Sequence, residues 1–390
     1  MGRDLKAKYD DTTRPWSHIE NVLKGENAES FGRPIDEAFP IEKKPWSDLR
    51  GLLSGEEGEE FARIIEEAFP TEPVALPKKT ALPEKPMSAT AQTIDRISPE
   101  TNLFESILEL IRRTSTQLPD DVVRAVTGAR KNEVEGSNAD VALNVISCNI
   151  GLAREGSLPL CQDTGTILFY VHTPAGYDQL AFEEIATEAV RTATKKGYLR
   201  QNSVDSITGK NTGDNTGPGS PVFHFHQWRE PHVEVKLMLK GGGCENMNVQ
   251  YSLPHPALGD RDLKGVENAI LDCVLQAQGQ GCGPGILGVC IGGDRGTGYG
   301  FAKEQLLRLL DDTNPDPVLA ELEERVVDKA NQSGIGPMGF GGKTTLLACK
   351  IGTRNRLPAS FFVSIAYMCW AYRRRGAELD LDGNVTGWLY

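Results

Sequence analysis

The chain has 390 residues, 39% of them hydrophobic and 25% charged, with 41 glycines, 8 cysteines and a net charge of −12. That length accommodates two or three domains and a sizeable core. The acidic balance argues against a nucleic-acid partner, which would favour a basic face, and an anionic ligand would need locally concentrated arginine, lysine or metal. No apolar run reaches the roughly 18 residues of a membrane span. The N-terminus, Met1-Gly2-Arg3-Asp4, lacks the apolar core of a signal peptide. A cytoplasmic protein is therefore expected, with no membrane partner. In that compartment cysteines stay reduced and serve as ligands or catalysts rather than as disulfides.

Residues 1–70 carry an internal repeat. Arg14-Pro15-Trp16-Ser17 recurs thirty residues later as Lys44-Pro45-Trp46-Ser47, and Glu37-Ala38-Phe39-Pro40 recurs as Glu67-Ala68-Phe69-Pro70. Each copy reads as a short serine-capped helix, a Gly-Glu turn and a second amphipathic helix stopped by proline. The segment holds 16 acidic residues against 10 basic ones. Two readings stand side by side: a loosely folded acidic extension, or a pair of helices over 13–70 that dock in a partner's groove and gain avidity from repetition. Residues 71–96, rich in proline, lysine and alanine, read as an extended linker. The globular body is expected over 97–390.

The body opens with helical spacing. Leu103, Ile107, Leu110 and Ile111 form one apolar face, and Val122, Val123 and Val126 a second. Val141, Val145, Ile146, Ile150 and Leu152 form a third, with Cys148 expected in the core. The loop Leu158-Pro159-Leu160-Cys161-Gln162-Asp163-Thr164-Gly165-Thr166 follows, concentrating a thiol, an amide, a carboxylate and hydroxyls. It leads into Ile167-Leu168-Phe169-Tyr170-Val171, a buried strand. A helix over 181–196 buries Ile185, Ala186, Val190 and Ala193 and leads to Arg200. A polar loop occupies 210–219. Residues 222–226 and 232–239 alternate as strands and are expected to pair as a hairpin across 227–231. His224 and His226 share a polar face there, with no acidic ligands at a useful offset.

Glycine loops punctuate the rest. Gly241-Gly242-Gly243-Cys244-Glu245-Asn246 ends a strand, where glycines let backbone approach a ligand and Glu245 or Asn246 offers a carboxylate or amide. In Gly281-Cys282-Gly283-Pro284-Gly285 a cysteine stands between glycines at the mouth of the strand 286–291, while Cys290 lies inside that strand and is expected in the core. Gly334-Ile335-Gly336-Pro337-Met338-Gly339 has dinucleotide-loop spacing but follows a helical stretch, 319–331, rather than a strand. Gly341-Gly342-Lys343-Thr344 resembles the end of a phosphate loop, yet Pro337 stands where that loop needs glycine. The segment reads instead as a glycine-lined wall with one cation, Lys343, for a small anion. A last buried strand, 358–368, delivers Cys369 beside Arg373-Arg374-Arg375. The expected fold class is α/β, with α+β open: a helical N-terminal part, then a mixed sheet with flanking helices, preceded by the helical repeat extension.

Three cysteines, Cys161, Cys282 and Cys369, each stand at the end of a core strand among glycine or polar neighbours. Their wide separation is unlike a zinc knuckle or a C-x-x-C pair. Three distant thiolates meeting at one point would suit an iron–sulfur cluster with one iron left free, though position alone does not single that out.

Five motifs occur in one order: Cys161-Gln-Asp-Thr-Gly-Thr, Gly241-Gly-Gly-Cys-Glu-Asn-Met-Asn, Cys282-Gly-Pro-Gly-Ile-Leu-Gly-Val-Cys-Ile-Gly-Gly, Gly336-Pro-Met-Gly-Phe-Gly-Gly-Lys-Thr-Thr and Cys369-Trp-Ala-Tyr-Arg-Arg. Over about 97–390 they resemble the α subunit, or N-terminal domain, of class I iron–sulfur fumarate hydratases and the related tartrate dehydratases. The resemblance implies that Cys161, Cys282 and Cys369 hold three irons of a [4Fe–4S] cluster whose fourth iron meets a small dicarboxylate. Gln162 and Asp163 match residues beside the substrate, with catalytic roles in hydrogen bonding and proton relay, and Arg200 matches an arginine that pairs with a substrate carboxylate. Backbone N–H groups over 241–243, including Gly242 and Gly243, would face the same anion, as would Lys343. Relatives often carry Ala or Ser at the position of Cys244 and no thiol at that of Cys290, which makes both poor ligand candidates. Single-chain relatives continue into a second, mobile domain, so the resemblance implies a β-subunit partner in an α2β2 assembly. The implied activity is reversible hydration of fumarate to malate. The alternatives are L(+)-tartrate dehydration and a non-catalytic scaffold built on the repeats.

Overall fold

A computed structural model of the protein describes residues 101–390. The repeats at 1–70 and the linker at 71–96 lie outside the described residues. The described chain begins with three helices, α1 (Asn102–Thr116), α2 (Asp120–Asn132) and α3 (Asn138–Gly156). The hydroxyls of Thr101 and Ser137 cap α1 and α3 by accepting from the N–H groups of Phe104 and Asp140. Then come β1 (Thr166–Thr173), α4 (Gln179–Lys195), β2 (Val222–Gln227), β3 (Val233–Lys240), the short helix α5 (Gly242–Asn246) and β4 (Val249–Ser252). The order continues with α6 (Leu263–Ala277), β5 (Gly285–Gly292), α7 (Arg295–Gln305), α8 (Pro317–Gln332), β6 (Leu346–Arg354), β7 (Phe362–Met368), β8 (Arg373–Leu379) and β9 (Val385–Leu389).

The strands form two mixed sheets, in the orders β2-β1-β3-β8-β9 and β4-β7-β5-β6. β1 runs parallel to β2 and antiparallel to β3, so β1 separates the two strands expected to form a hairpin. The cause is the two-sided apolarity of β1. Ile167, Phe169 and Val171 face a core closed by α1 and α4, while Leu168 and Tyr170 face the larger core that contains α2, α3, α6, α7 and α8. A strand buried on both faces belongs in the sheet interior, and β2, only half-buried, takes the edge.

α3 corrects another expectation. Its buried arc is Ala139, Ala142, Leu143, Ile146, Ile150 and Ala153. Val141, Val145 and Leu152 are instead exposed, at 55%, 62% and 66%, and Cys148 is exposed rather than core. This helix is apolar nearly all round, so its period alone does not select the face. Cys290 is buried in β5 as expected.

The sheets are joined where the site lies. Thr166 of β1 pairs with Lys240 of β3, and Leu239 pairs with Arg373 of β8, so these three strand ends lie side by side. In the other sheet, Ile286 near the start of β5 pairs with Met368 at the end of β7. Residues 369–372 alone connect β7 to β8. The buried Lys240 also crosses the junction, its Nζ donating to the Tyr367 carbonyl at 2.8 Å. Four loops therefore meet at one place: those before β1 and β5, the one after β3, and the one joining β7 to β8. No described helix is long and apolar enough to cross a membrane.

Candidate active site at the junction of the two sheets

The Cys161 loop is held by its own polar groups. The Asp163 N–H donates to Cys161 Sγ at 3.4 Å, and the Cys161 thiol donates to Gln162 Oε1 at 3.7 Å. Three donors fix the Asp163 carboxylate: Gly165 N at 2.8 Å and Asn202 Nδ2 at 3.1 Å on Oδ1, and Gly242 N at 2.7 Å on Oδ2. Gly165 permits this approach. Its φ is +75°, and a Cβ there would stand 2.4 Å from the Lys240 carbonyl. Thr164 Oγ1 donates to the Arg200 carbonyl at 2.7 Å and accepts from the Arg200 N–H at 2.9 Å. Arg200 is thus tied to the residue after Asp163, with its side chain exposed.

Gln162, Asp163, Arg200 and Gly242 therefore come together. The Gly242 N–H, expected to face a ligand, already serves Asp163. The Gly243 side is open, with nothing within 4 Å of where a Cβ would stand. Lys343 is exposed and forms no ion pair among the described residues. Its backbone N–H donates to the Glu133 carboxylate at 2.9 Å and 3.0 Å. The loop that carries it does reach the junction, because the Met338 N–H donates to the Gly283 carbonyl at 3.0 Å.

Cys282 and Cys369 are linked through Tyr367. A Cβ on Gly281 or Gly285 would stand 2.3 Å or 2.5 Å from the Tyr367 ring or its hydroxyl, so the loop before β5 is wrapped on that ring. Between the two glycines, Cys282 is exposed with φ +54°, a left-handed conformation rare outside glycine and often kept at functional positions. The Trp370 N–H donates to the Cys282 carbonyl at 3.4 Å, which ties the Cys282 loop to the residue after Cys369. Partial desolvation of its sulfur pushes the Cys282 thiol up, with further contributions from Cys244, Cys161 and Asp163. Cys369 is buried beside Cys244, and the interaction of the two sulfurs lowers the Cys244 thiol and raises that of Cys369.

Two buried cations at the junction are invisible to hydrophobic periodicity. Lys240 is fully buried and pairs with Glu245 Oε2 at 2.9 Å; Lys303 pairs with the other oxygen of the same carboxylate. Burial lowers the Lys240 ammonium, against the pull of Glu245. Glu245 is therefore committed to an ion-pair network. Arg373 is 1% exposed, and its Nε and Nη1 have no hydrogen-bond partner. Its Nη2 lies 3.9 Å from the point where a Gly241 Cβ would stand, and Asp163 Oδ2 lies 3.0 Å from the same point. Its charge bears on Cys244 and Cys369, favouring the thiolate form of each. The one available signal was the arginine run just after Cys369.

Among the described residues no three His, Cys, Asp or Glu side chains stand close enough to hold a single metal ion. A four-iron cluster is larger than one ion, and its thiolates do not converge on one atom. Soft sulfur donors on three loops, beside a buried guanidinium with no anionic partner among the described residues, fit an anionic thiolate-bound group of that kind.

Residues 104–378 match the family described as fumarate hydratase (Fumerase). A protein of Geobacillus stearothermophilus with the provisional name fumarate hydratase class I is 52% identical over 293 residues, which cover 74% of this chain and 57% of that one. An archaeal chain of Methanocaldococcus jannaschii, provisionally named L(+)-tartrate dehydratase subunit alpha, is 32% identical over 73% of this chain and 99% of its own length. The L(+)-tartrate dehydratase subunit alpha of Escherichia coli strain K12 is 30% identical over 70% of this chain and 89% of its own.

Proposed function

The chain belongs to the fumarate hydratase (Fumerase) family, and we propose that it is the α-type chain of a class I, iron–sulfur-dependent fumarate hydratase that interconverts fumarate and malate. The observation that carries this reading is the meeting of three thiol-bearing loops at one junction, with Asp163 and Arg200 tied to the first of them. The 52% identity to a relative named for fumarate, against 32% and 30% to chains named for tartrate, favours fumarate.

Cys161, Cys282 and Cys369 would hold a [4Fe–4S] cluster. Such a cluster supplies a Lewis acid at its unligated corner, which makes a hydroxyl a workable leaving group. The remaining work falls to the chain's own residues. Arg200 presents an exposed guanidinium that can grip a substrate carboxylate as a two-pronged donor. Gln162, exposed beside Cys161, can hydrogen-bond a carboxylate or hydroxyl. Asp163 holds a carboxylate at fixed orientation, able to pass a proton to or from the water that leaves or adds. The open Gly243 backbone and Lys343 complete the anion-binding side.

The names of the α-subunit relatives support a partner β chain, and the assembly would be α2β2. The repeats at 13–70 would be a docking element for a further partner, and the location would be cytoplasmic. The test is anaerobic reconstitution of the full chain with iron and sulfide, with and without a co-expressed β chain, followed by assays with malate, fumarate and L(+)-tartrate. Iron–sulfur absorbance with malate–fumarate turnover is expected. Faster turnover of tartrate would transfer the reading to tartrate dehydratase, and absence of the cluster would leave the scaffold.

A further inference from the structure

Arg373 is the group at the junction whose burial no side-chain partner among the described residues explains. Its neighbours in sequence each have side-chain partners, although each leaves its Nε unpaired among the described residues. Arg374 pairs with Asp121 at 2.6 Å, and Arg375 donates to the Tyr390 carbonyl at 2.7 Å. Arg373 is as buried as Arg374, yet no carboxylate pairs with it among the described residues, and two of its nitrogens are unsatisfied. A buried cation without an anion is strongly unfavourable. It is retained where a bound group brings the missing negative charge. The charged groups around it narrow the choice. Asp163 is already taken by three donors. Glu245 is taken by Lys240 and Lys303. What remains is the sulfur side, Cys369 with Cys244 beside it.

We propose that Arg373 is a positioning residue that balances the negative charge of the thiolate-bound cluster through the Cys369 ligand. The inference rests on the cluster reading above. It makes the guanidinium part of how the group is retained and poised, apart from any contact with substrate. A fixed positive charge beside an anionic cluster favours the more negative, reduced form and so raises its reduction potential, and it opposes loss of the group.

The test compares the full chain with Arg373→Met and Arg373→Lys. In apoprotein, Arg373→Met is expected to melt at a higher temperature than wild type, because an uncompensated buried charge has been removed. After anaerobic reconstitution the same variant is expected to show a lower cluster midpoint potential in an EPR-monitored redox titration. It should also lose visible iron–sulfur absorbance to a chelator several-fold faster. Arg373→Lys keeps the charge and is expected to restore most of the potential. An Arg373→Met apoprotein that melts below wild type, or a reconstituted one with unchanged potential and chelator resistance, would overturn the proposal. If Arg373→Met fails to fold, the proposal falls as well, since a purely structural arginine behaves that way. Failure of the cluster reading itself would appear in wild type, as no iron uptake.

Discussion

Gly281→Ala tests how the Cys282 loop is held against the strand that leads to Cys369. A methyl at residue 281 would stand 2.3 Å from Tyr367 Cε1, 2.6 Å from Cζ and 2.9 Å from the hydroxyl. Ordinary carbon contacts lie near ~3.5 Å, so ring and loop must part by about 1 Å. Neither yields easily. Tyr367 is 2% exposed, its carbonyl accepts from Lys240 Nζ, and its N–H donates to Asn248 Oδ1 at 2.9 Å. The penalty belongs at the upper end of overpacking, about 3 kcal/mol. At about 2 °C per kcal/mol for a domain of this size, apoprotein melting should fall by about 6 °C. Iron uptake should fall with it, because Cys282 rides on the displaced loop. The control is a double-mutant cycle. Tyr367→Ala alone opens a cavity costing about 3–5 kcal/mol, but it removes the atoms that the new methyl strikes. The second substitution should then add little, for a coupling of about 2–3 kcal/mol. Melting of Gly281→Ala within 1 °C of wild type, or strict additivity of the two changes, would refute the account of this loop.

Further outcomes follow from particular groups. Asp121→Asn breaks a pair in which both side chains are almost fully buried, and urea unfolding should register a loss of about 3–5 kcal/mol. Burial resists ionisation of Asp121, but Arg374 outweighs it and holds the carboxyl below its usual value. That stabilisation is present above the unfolded-state pKa and is lost as pH falls through the lower folded value, so the variant's stability should fall less on acidification than wild type's. Asp163→Asn keeps an oxygen for two of its three N–H donors, sets its NH2 against the Gly242 N–H and loses the proton acceptor; it should still fold, at a cost of about 1–3 kcal/mol, while turnover drops by about 10²–10⁴-fold. Serine at Cys161, Cys282 or Cys369 should abolish stable cluster retention measured by iron content, whereas Cys148→Ser on the exposed face of α3 should change stability by no more than about 0.5 kcal/mol.

The sequence by itself determined the local pieces. The apolar runs after Gly165 and before Cys369 are the buried strands β1 and β7. Helical spacing located α1, α2 and α4, and the loops bearing Cys161, Cys282 and Cys369 flank core strands as read. These features depend on residues close in the chain, where propensity, period and glycine conformation act directly. Only the tertiary structure decided which strands are neighbours. β1 enters between β2 and β3 because both its faces are apolar, a long-range choice that the short connection between β2 and β3 does not reveal. Tertiary packing likewise selected the buried arc of α3, where the apolar residues run nearly all round the helix and periodicity has little to report. It also put Lys240 and Arg373 inside the protein, against the rule that charges stay in water. Burial of a charge is set by the partner it meets, and that partner, an ion pair for Lys240 and the sulfur side of the junction for Arg373, is brought near only when the two sheets close on each other.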